Sequence, residues 1–175
     1  AERAGGADWP TLVRREVFAP LGITDEMRVG VAREDDGTVG HVQEKDGYRA
    51  VPGEGNPALL WGADGVFASA SGMARYVRAH AAESPRFLRP ATWRVVHAPD
   101  GTGLFAQPGR FPSADWRWHN GSNTLNYGAF AFDPVTGRGA AVLTNGAGPE
   151  AQSGAEILLG RLFREPSKFR TVRRS

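Results

Sequence analysis

The 175 residues carry 21 Lys and Arg against 19 Asp and Glu, with 41% hydrophobic and 23% charged residues, the composition of a single globular domain. The chain has no cysteine, which excludes disulfides, thiolate metal sites and thiol catalysis, and no apolar run reaches the roughly 18 residues of a membrane span. Glycine and proline, 23 and 12 residues, make up a fifth of the chain, so its elements should be short and closed by frequent turns.

Asp8 is placed to cap a helix running through Trp9 and Pro10, where proline is tolerated near the first turn. Trp9, Leu12, Val13, Val17 and Phe18 recur at three- and four-residue steps and form one apolar stripe. Pro20 and Gly22 should stop that helix. From Val29 to about Gly62 the pattern is irregular. Val31, Val39, His41 and Val42 lie among the turn signals Asp35-Asp36-Gly37 and Asp46-Gly47, which predicts short β segments or a hairpin. Val51 to Pro57 reads as a loop. Ser69 or Ser71 then offers a cap for a second helix through Met73, Ala74, Tyr76, Val77 and Ala81. A third helix fits Pro90 to about His97, with Pro99 beyond its end.

The last third has a two-residue grain. Trp116 to His119 reads as a short strand and Tyr127 to Phe132 as a second, with large residues at alternate positions. The turn Asp133-Pro134-Val135-Thr136-Gly137 joins it to a third strand, Gly139 to Asn145, in an antiparallel hairpin. From Pro149 a helix places Ala151, Ala155, Leu158, Leu159 and Leu162 on one face, suited to lie across the sheet. The expected organisation is a helical and loop-rich part over residues 1–115, strands plus a C-terminal helix over 116–163, and a basic tail over 164–175. In that tail Arg164, Lys168, Arg170, Arg173 and Arg174 are opposed by Glu165. Basic residues gathered there, and not interleaved with aromatics along a face, read as a solvated terminus, so no nucleic-acid partner is expected.

A family resemblance runs through most of the chain. His119-Asn120-Gly121-Ser122, the hairpin ending in Val142-Leu143-Thr144-Asn145, and the terminal helix are similar to the end of class C β-lactamases and related DD-peptidases and esterases. Phe18-Ala19-Pro20-Leu21-Gly22-Ile23 resembles their Pro-Leu-Gly-Met helix ending. The run from Gly62 to Ala74 resembles their Gly-Gly-Leu-x-Ser-Thr-Ala-x-Asp-Leu-Ala segment, and Leu88-Arg89-Pro90-Ala91-Thr92-Trp93 the helix start that follows. The resemblance implies an α+β fold, an antiparallel sheet packed against helices and incomplete without an N-terminal segment. It also implies acyl transfer through a serine and a secreted or periplasmic location. The start at Ala1, without an initiator Met, is read as a hint that an upstream part has been removed.

That family's machinery is a Ser-x-x-Lys motif, a Tyr-x-Asn or Ser-x-Asn motif, and a third motif, Lys-Thr-Gly or His-Thr-Gly, on a strand. The first two do not occur here. Lys45 and Lys168 have Val42 and Glu165 three places before them, and Tyr48, Tyr76 and Tyr127 are followed two places on by Ala50, Arg78 and Ala129. The third motif implies that His119 stands beside a nucleophile and that the Ser122 N–H is one donor to the developing oxyanion. Gly121, without a Cβ, lets a substrate backbone approach the strand edge. Asn120 departs from the family's Thr. Against this stands a plainer reading, since Asn-Gly favours tight hairpin turns. Asn145 either faces substrate or closes a turn or caps the terminal helix, and Trp118 either packs in the core or lines the pocket. His41, His80 and His97 have no partner at metal-ligand spacing and read as surface or structural; Ser69 and Ser71 read as helix caps. No metal or cofactor is expected. The expected partners are a chain or fragment carrying the nucleophile and a small-molecule or peptide substrate. The alternative is a non-catalytic binding module that retains the cleft wall.

Overall fold

The Asp8 carboxylate accepts the Thr11 N–H at 2.8 Å, so helix α2 (Trp9–Val13) begins where its cap demands. The computed structural model describes residues 1–31, 33, 38–53, 56–98 and 116–164; the Asp35-Asp36-Gly37 signal, Pro99 and the tail from 165 onward lie outside them. A short α1 (Glu2–Gly5) precedes α2, which continues through a π-type turn (Arg14–Phe18) into α3 (Ala19–Leu21). Pro20 therefore does not stop the helix. In a regular helix its ring would meet the carbonyl four residues back, but that carbonyl belongs to Glu16 in the wider turn, where Ala19 N–H reaches Arg14 O. Gly22, at φ 66°, ends the run in the left-handed conformation. Val13, Phe18, Ile23 and Met27 form a small core with Met73 and Tyr76.

Strand β1 (Met27–Val29) pairs antiparallel with β4 (Val66–Ala68), and β2 (Gly40–Glu44) with β3 (Gly47–Val51) across the turn at Asp46. β4 had no sequence signal, because three residues are too few to display a period. Ser69 Oγ accepts the Gly72 N–H at 3.0 Å and opens α4 (Ala70–Ala81). Pro90 opens α5 (Pro90–Val96).

The main sheet is β5 (Arg117–Ser122), β6 (Tyr127–Asp133) and β7 (Arg138–Thr144), antiparallel in that order. The turn after β6 is held by Asp133, whose carboxylate accepts the Val135 N–H at 2.8 Å. β5 runs three residues beyond the expected end at His119, because Asn120, Gly121 and Ser122 find partners in Ala129, Gly128 and Tyr127. One face, with Trp118, Tyr127, Ala129, Ala131 and Val142, is sealed by α6 (Pro149–Arg164) through Ala155, Leu159 and Phe163. Leu158 and Leu162 depart from expectation: they are 47% and 38% exposed. The apolar stripe is wider than the sheet beneath it, and the Arg138 guanidinium, donating to Leu162 O at 3.5 Å, marks that flank as overhanging the β7 rim. The other face carries Phe130, Phe132, Gly139 and Ala141. There Val77 and Ala81 of α4 pack on Phe132.

The architecture is thus mixed α and β, with small antiparallel sheets and helices packed around them.

Candidate functional site

His119-Asn120-Gly121 is not a reverse turn. It lies within β5 in register with Phe130, Ala129 and Gly128, and the turn is made by the next residues, where Asn123 Oδ1 accepts the N–H groups of Leu125 and Asn126 at 3.1 and 2.7 Å. Because β5 is the outer strand of the sheet, one of its edges has no strand beside it among the described residues.

Strand alternation then sorts the candidate residues. His119 and Gly121 project on the α4 side of the sheet. The imidazole is exposed and lies over the Phe130 ring, with centroids 6.0 Å apart and planes at 25°. Partial desolvation lowers its pKa from the usual histidine value. At neutral pH it is therefore an uncharged ring, able to accept a proton or donate a hydrogen bond, and not a fixed cation. A Cβ built on Gly121 meets no atom within 4 Å, so the space above it is open among the described residues.

Trp118 and Asn120 project the opposite way. Trp118, considered for the pocket wall, is 3% exposed in the core between sheet and α6. Asn120, considered for substrate contact, donates from Nδ2 to the Tyr127 hydroxyl at 2.9 Å, and that hydroxyl donates to Glu156 Oε1 at 2.8 Å. No local signal marks Tyr127 or Glu156 as site-related, although residue parity alone puts Asn120 on the side of Trp118. The Ser122 side chain shapes the turn, its Oγ donating to Asn126 O and accepting the Thr124 N–H, both at 3.0 Å. Its backbone is what remains for chemistry.

Asn145 lies elsewhere. β5 and β7 are separated by β6, about 10 Å at ordinary strand spacing, and Asn145 follows β7. Its carbonyl faces His41 Nδ1 at 2.9 Å. With His41, Tyr48, Thr144, Gly146, Glu150 and Ala151 it borders a shallow depression at the start of α6. The structure therefore brings His119, Gly121 and Ser122 together and leaves Trp118, Asn120 and Asn145 apart from them.

His80 and His97 are a structural pair that spacing alone did not show. His80 Nδ1 is 3.1 Å from His97 Nε2, and His97 Nδ1 is 3.1 Å from Glu83 Oε1. The carboxylate accepts only, so His97 Nδ1 carries a proton, its Nε2 accepts, and His80 Nδ1 donates. Burial drives the His80 pKa down to about 3, with the charge of His97 adding to the effect. Burial lowers His97 too, against the opposing pull of Glu83. Ser69 and Ser71 both hydrogen-bond Glu26, whose pKa their hydroxyls lower, Ser71 most. That arrangement ties α4 to the segment before β1 and commits both serine hydroxyls to the Glu26 carboxylate.

Among the described residues no cluster of three or more His, Asp or Glu is placed to hold a metal. No helix among them is long and apolar enough to cross a membrane.

Comparison with known proteins gives a family model described as Beta-lactamase, matching residues 1–163. No curated protein matches in sequence. Solved structures similar in fold include the following two. One is the octameric penicillin-binding protein homologue from Pyrococcus abyssi, with a TM-score of 0.69 and 18% identity, over 94% of this chain and 40% of that one. The other is EstCE1, a hydrolase with promiscuous acyltransferase activity, with a TM-score of 0.63 and 15% identity, over 91% of this chain and 51% of that one. The chain thus spans about half or less of the length of these two structures.

Proposed function

The chain belongs to the beta-lactamase family, and on that premise we propose that it is the C-terminal part of a serine hydrolase of the β-lactamase/DD-peptidase type. Its share is the His119-Asn120-Gly121 strand and one oxyanion-hole amide, contributed to the hydrolysis of an amide, β-lactam or ester through an acyl-enzyme. The observation that carries this reading is the placement of His119 and Gly121 on the open side of an outer strand, next to Ser122. A neutral imidazole there can accept the proton or hydrogen bond of a serine brought beside it, which a permanent cation, able only to donate, could not do. The Ser122 N–H serves as one of the donors that hold the negative charge developing on the carbonyl oxygen, and Gly121 leaves the scissile group room to approach.

Neither Ser-x-x-Lys nor Tyr-x-Asn occurs in the 175 residues, so the reading places both on a preceding segment, linked or separate. Two features fit a docked neighbour. The outer edge of β7 has no strand beside it among the described residues, and Leu143, Leu158 and Leu162 are exposed along that side. The chemistry needs no cofactor.

The missing motifs also favour a second reading, a non-catalytic module that keeps the cleft wall for recognition. A fluorescent penicillin and an activated ester, applied to the protein in its full natural length, separate the two. Covalent labelling of a serine, removed by prior acylation, is expected of the hydrolase. Reversible binding without an adduct would replace it with the module.

A further inference from the structure

The side chain between His119 and Gly121 is committed to the opposite face of the sheet, and what holds it there spans three elements. Asn120 on β5 donates to the hydroxyl of Tyr127 on β6, and that hydroxyl donates to Glu156 on α6, at 2.9 and 2.8 Å. An ionised carboxylate can only accept, so it fixes the direction of the Tyr127 O–H. With that hydrogen spent on Glu156, the oxygen's lone pairs are what Asn120 meets, and the amide must present its NH2 end. The direction of both bonds follows from the one charge.

The location gives the tie its consequence. Tyr127 is 4% exposed, its ring packed in the core between sheet and α6, so its hydroxyl has little freedom. Asn120, by contrast, sits on a strand with no neighbour on one side among the described residues, next to the turn at Asn123. Outer strands near a turn are where a ladder frays first. In a strand, a residue held down on one face holds its two neighbours up on the other, and the neighbours here are His119 and Gly121.

We propose that Tyr127, oriented by Glu156, is a positioning residue of the hydrolase site: through Asn120 it pins the pleat of β5 and so fixes His119 and Gly121 on the open face. This rests on the functional reading above for its catalytic consequence, though not for the tie itself. None of the three touches substrate.

Tyr127→Phe removes one oxygen and keeps the ring in the core. In the full-length protein two measurements are made on wild type and variant. The first is backbone hydrogen exchange resolved by segment: exchange over 117–122 is expected to rise roughly tenfold or more, while 138–144 and α6 stay as in wild type, because local opening of one element does not require global unfolding. The second is hydrolysis of a short activated ester: kcat is expected to fall about tenfold with KM within about twofold, the signature of misplaced chemistry. Asn120→Ala should reproduce both effects, and the double variant should be no worse than either single one. Uniformly faster exchange across all elements would reduce Tyr127 to an ordinary core contact and overturn the proposal. So would unchanged exchange over 117–122, or selective loosening there with kcat intact. If wild type neither hydrolyses the ester nor acylates, the hydrolase reading falls with the positioning role, and the exchange data still decide whether the tie exists.

Discussion

The α4 side of the main sheet has two ends that differ in kind. At one end Gly139 lies under α4, where an added Cβ would sit 2.4 Å from Val77 Cγ1, and Phe132 is fully buried against Val77 and Ala81. At the other end a Cβ on Gly121 would touch none of the described residues, and Leu143 is 42% exposed. Each end has its histidines. His80 and His97 pack on Phe132, with ring centroids 5.4 and 5.0 Å away, while His119 lies over Phe130 and is exposed. The same residue types build one end and furnish the other. What separates them, among the described residues, is whether a helix lies above.

The largest test of that difference is His119→Ala. If the open end carries the chemistry, kcat/KM of the full-length protein falls about 10²- to 10⁴-fold, the range for losing a positioned proton-transfer group, while the melting temperature barely moves. A comparable loss of stability, or activity that survives, would erase the distinction. Gly139→Ala is the converse. Its methyl must displace the Val77 side chain, and overpacking of this kind costs about 1–3 kcal/mol. Chemical denaturation should read that loss, with activity per folded molecule unchanged.

Acid separates the two ends by a smaller step. His80 and His97 have folded pKa values below that of the unfolded chain, so the unfolded state binds more protons as the pH drops. Their contribution to stability is whole above about pH 6.5 and is lost below it, at about 1.4 kcal/mol per pH unit for His80 down toward its folded value of about 3. Among the described residues the charged groups facing the pair are Glu83, which accepts from His97, and Arg117, whose Nε donates to His97 O at 3.4 Å; the rings of Tyr76, Phe87, Trp93 and Phe132 pack around it. Thermal melts at pH 7 and pH 5 should show the drop, and His80→Phe should flatten it. An unchanged slope in that variant would place the acid sensitivity elsewhere.

Much of this comparison could be read from the chain, and the remainder divides by range. Asp8, Ser69, Pro90 and Asp133 announced their caps and turns because those signals act within four residues. The hairpin of β6 and β7 and the candidacy of His119, Gly121 and Ser122 were also legible, the latter through the resemblance. The directions taken by Trp118 and Asn120 were available in principle, since strand parity sets both against His119, but they needed β5 to continue through Ser122. The pairs His80 with His97 and Tyr127 with Glu156, separated by 17 and 29 positions, depend on helices laid over strands and leave no local trace. Periodicity puts Leu158 and Leu162 on the buried face because it counts apolar residues without measuring the width of the sheet they must cover.

Gly121→Ala carries the smallest effect on stability and the most specific one. Glycine inside a strand loses more backbone freedom on folding than alanine, which costs about 0.5–1 kcal/mol. That cost is usually offset where the left-handed region is needed or where a methyl would collide. Neither condition holds here. Gly121 is not among the residues at positive φ, and no described residue comes within 4 Å of a Cβ placed there. Alanine should therefore raise stability slightly, by up to that amount, in contrast to the loss at Gly139. If the open space belongs to the substrate, the same methyl obstructs its approach, so KM for the ester rises as the melting temperature does. A glycine whose replacement helps the fold and harms turnover is retained for what passes over it. Replacement that improved both, or lowered stability, would show the open end to be a packing site awaiting a neighbour, and the two ends of this face would then differ only in what covers them.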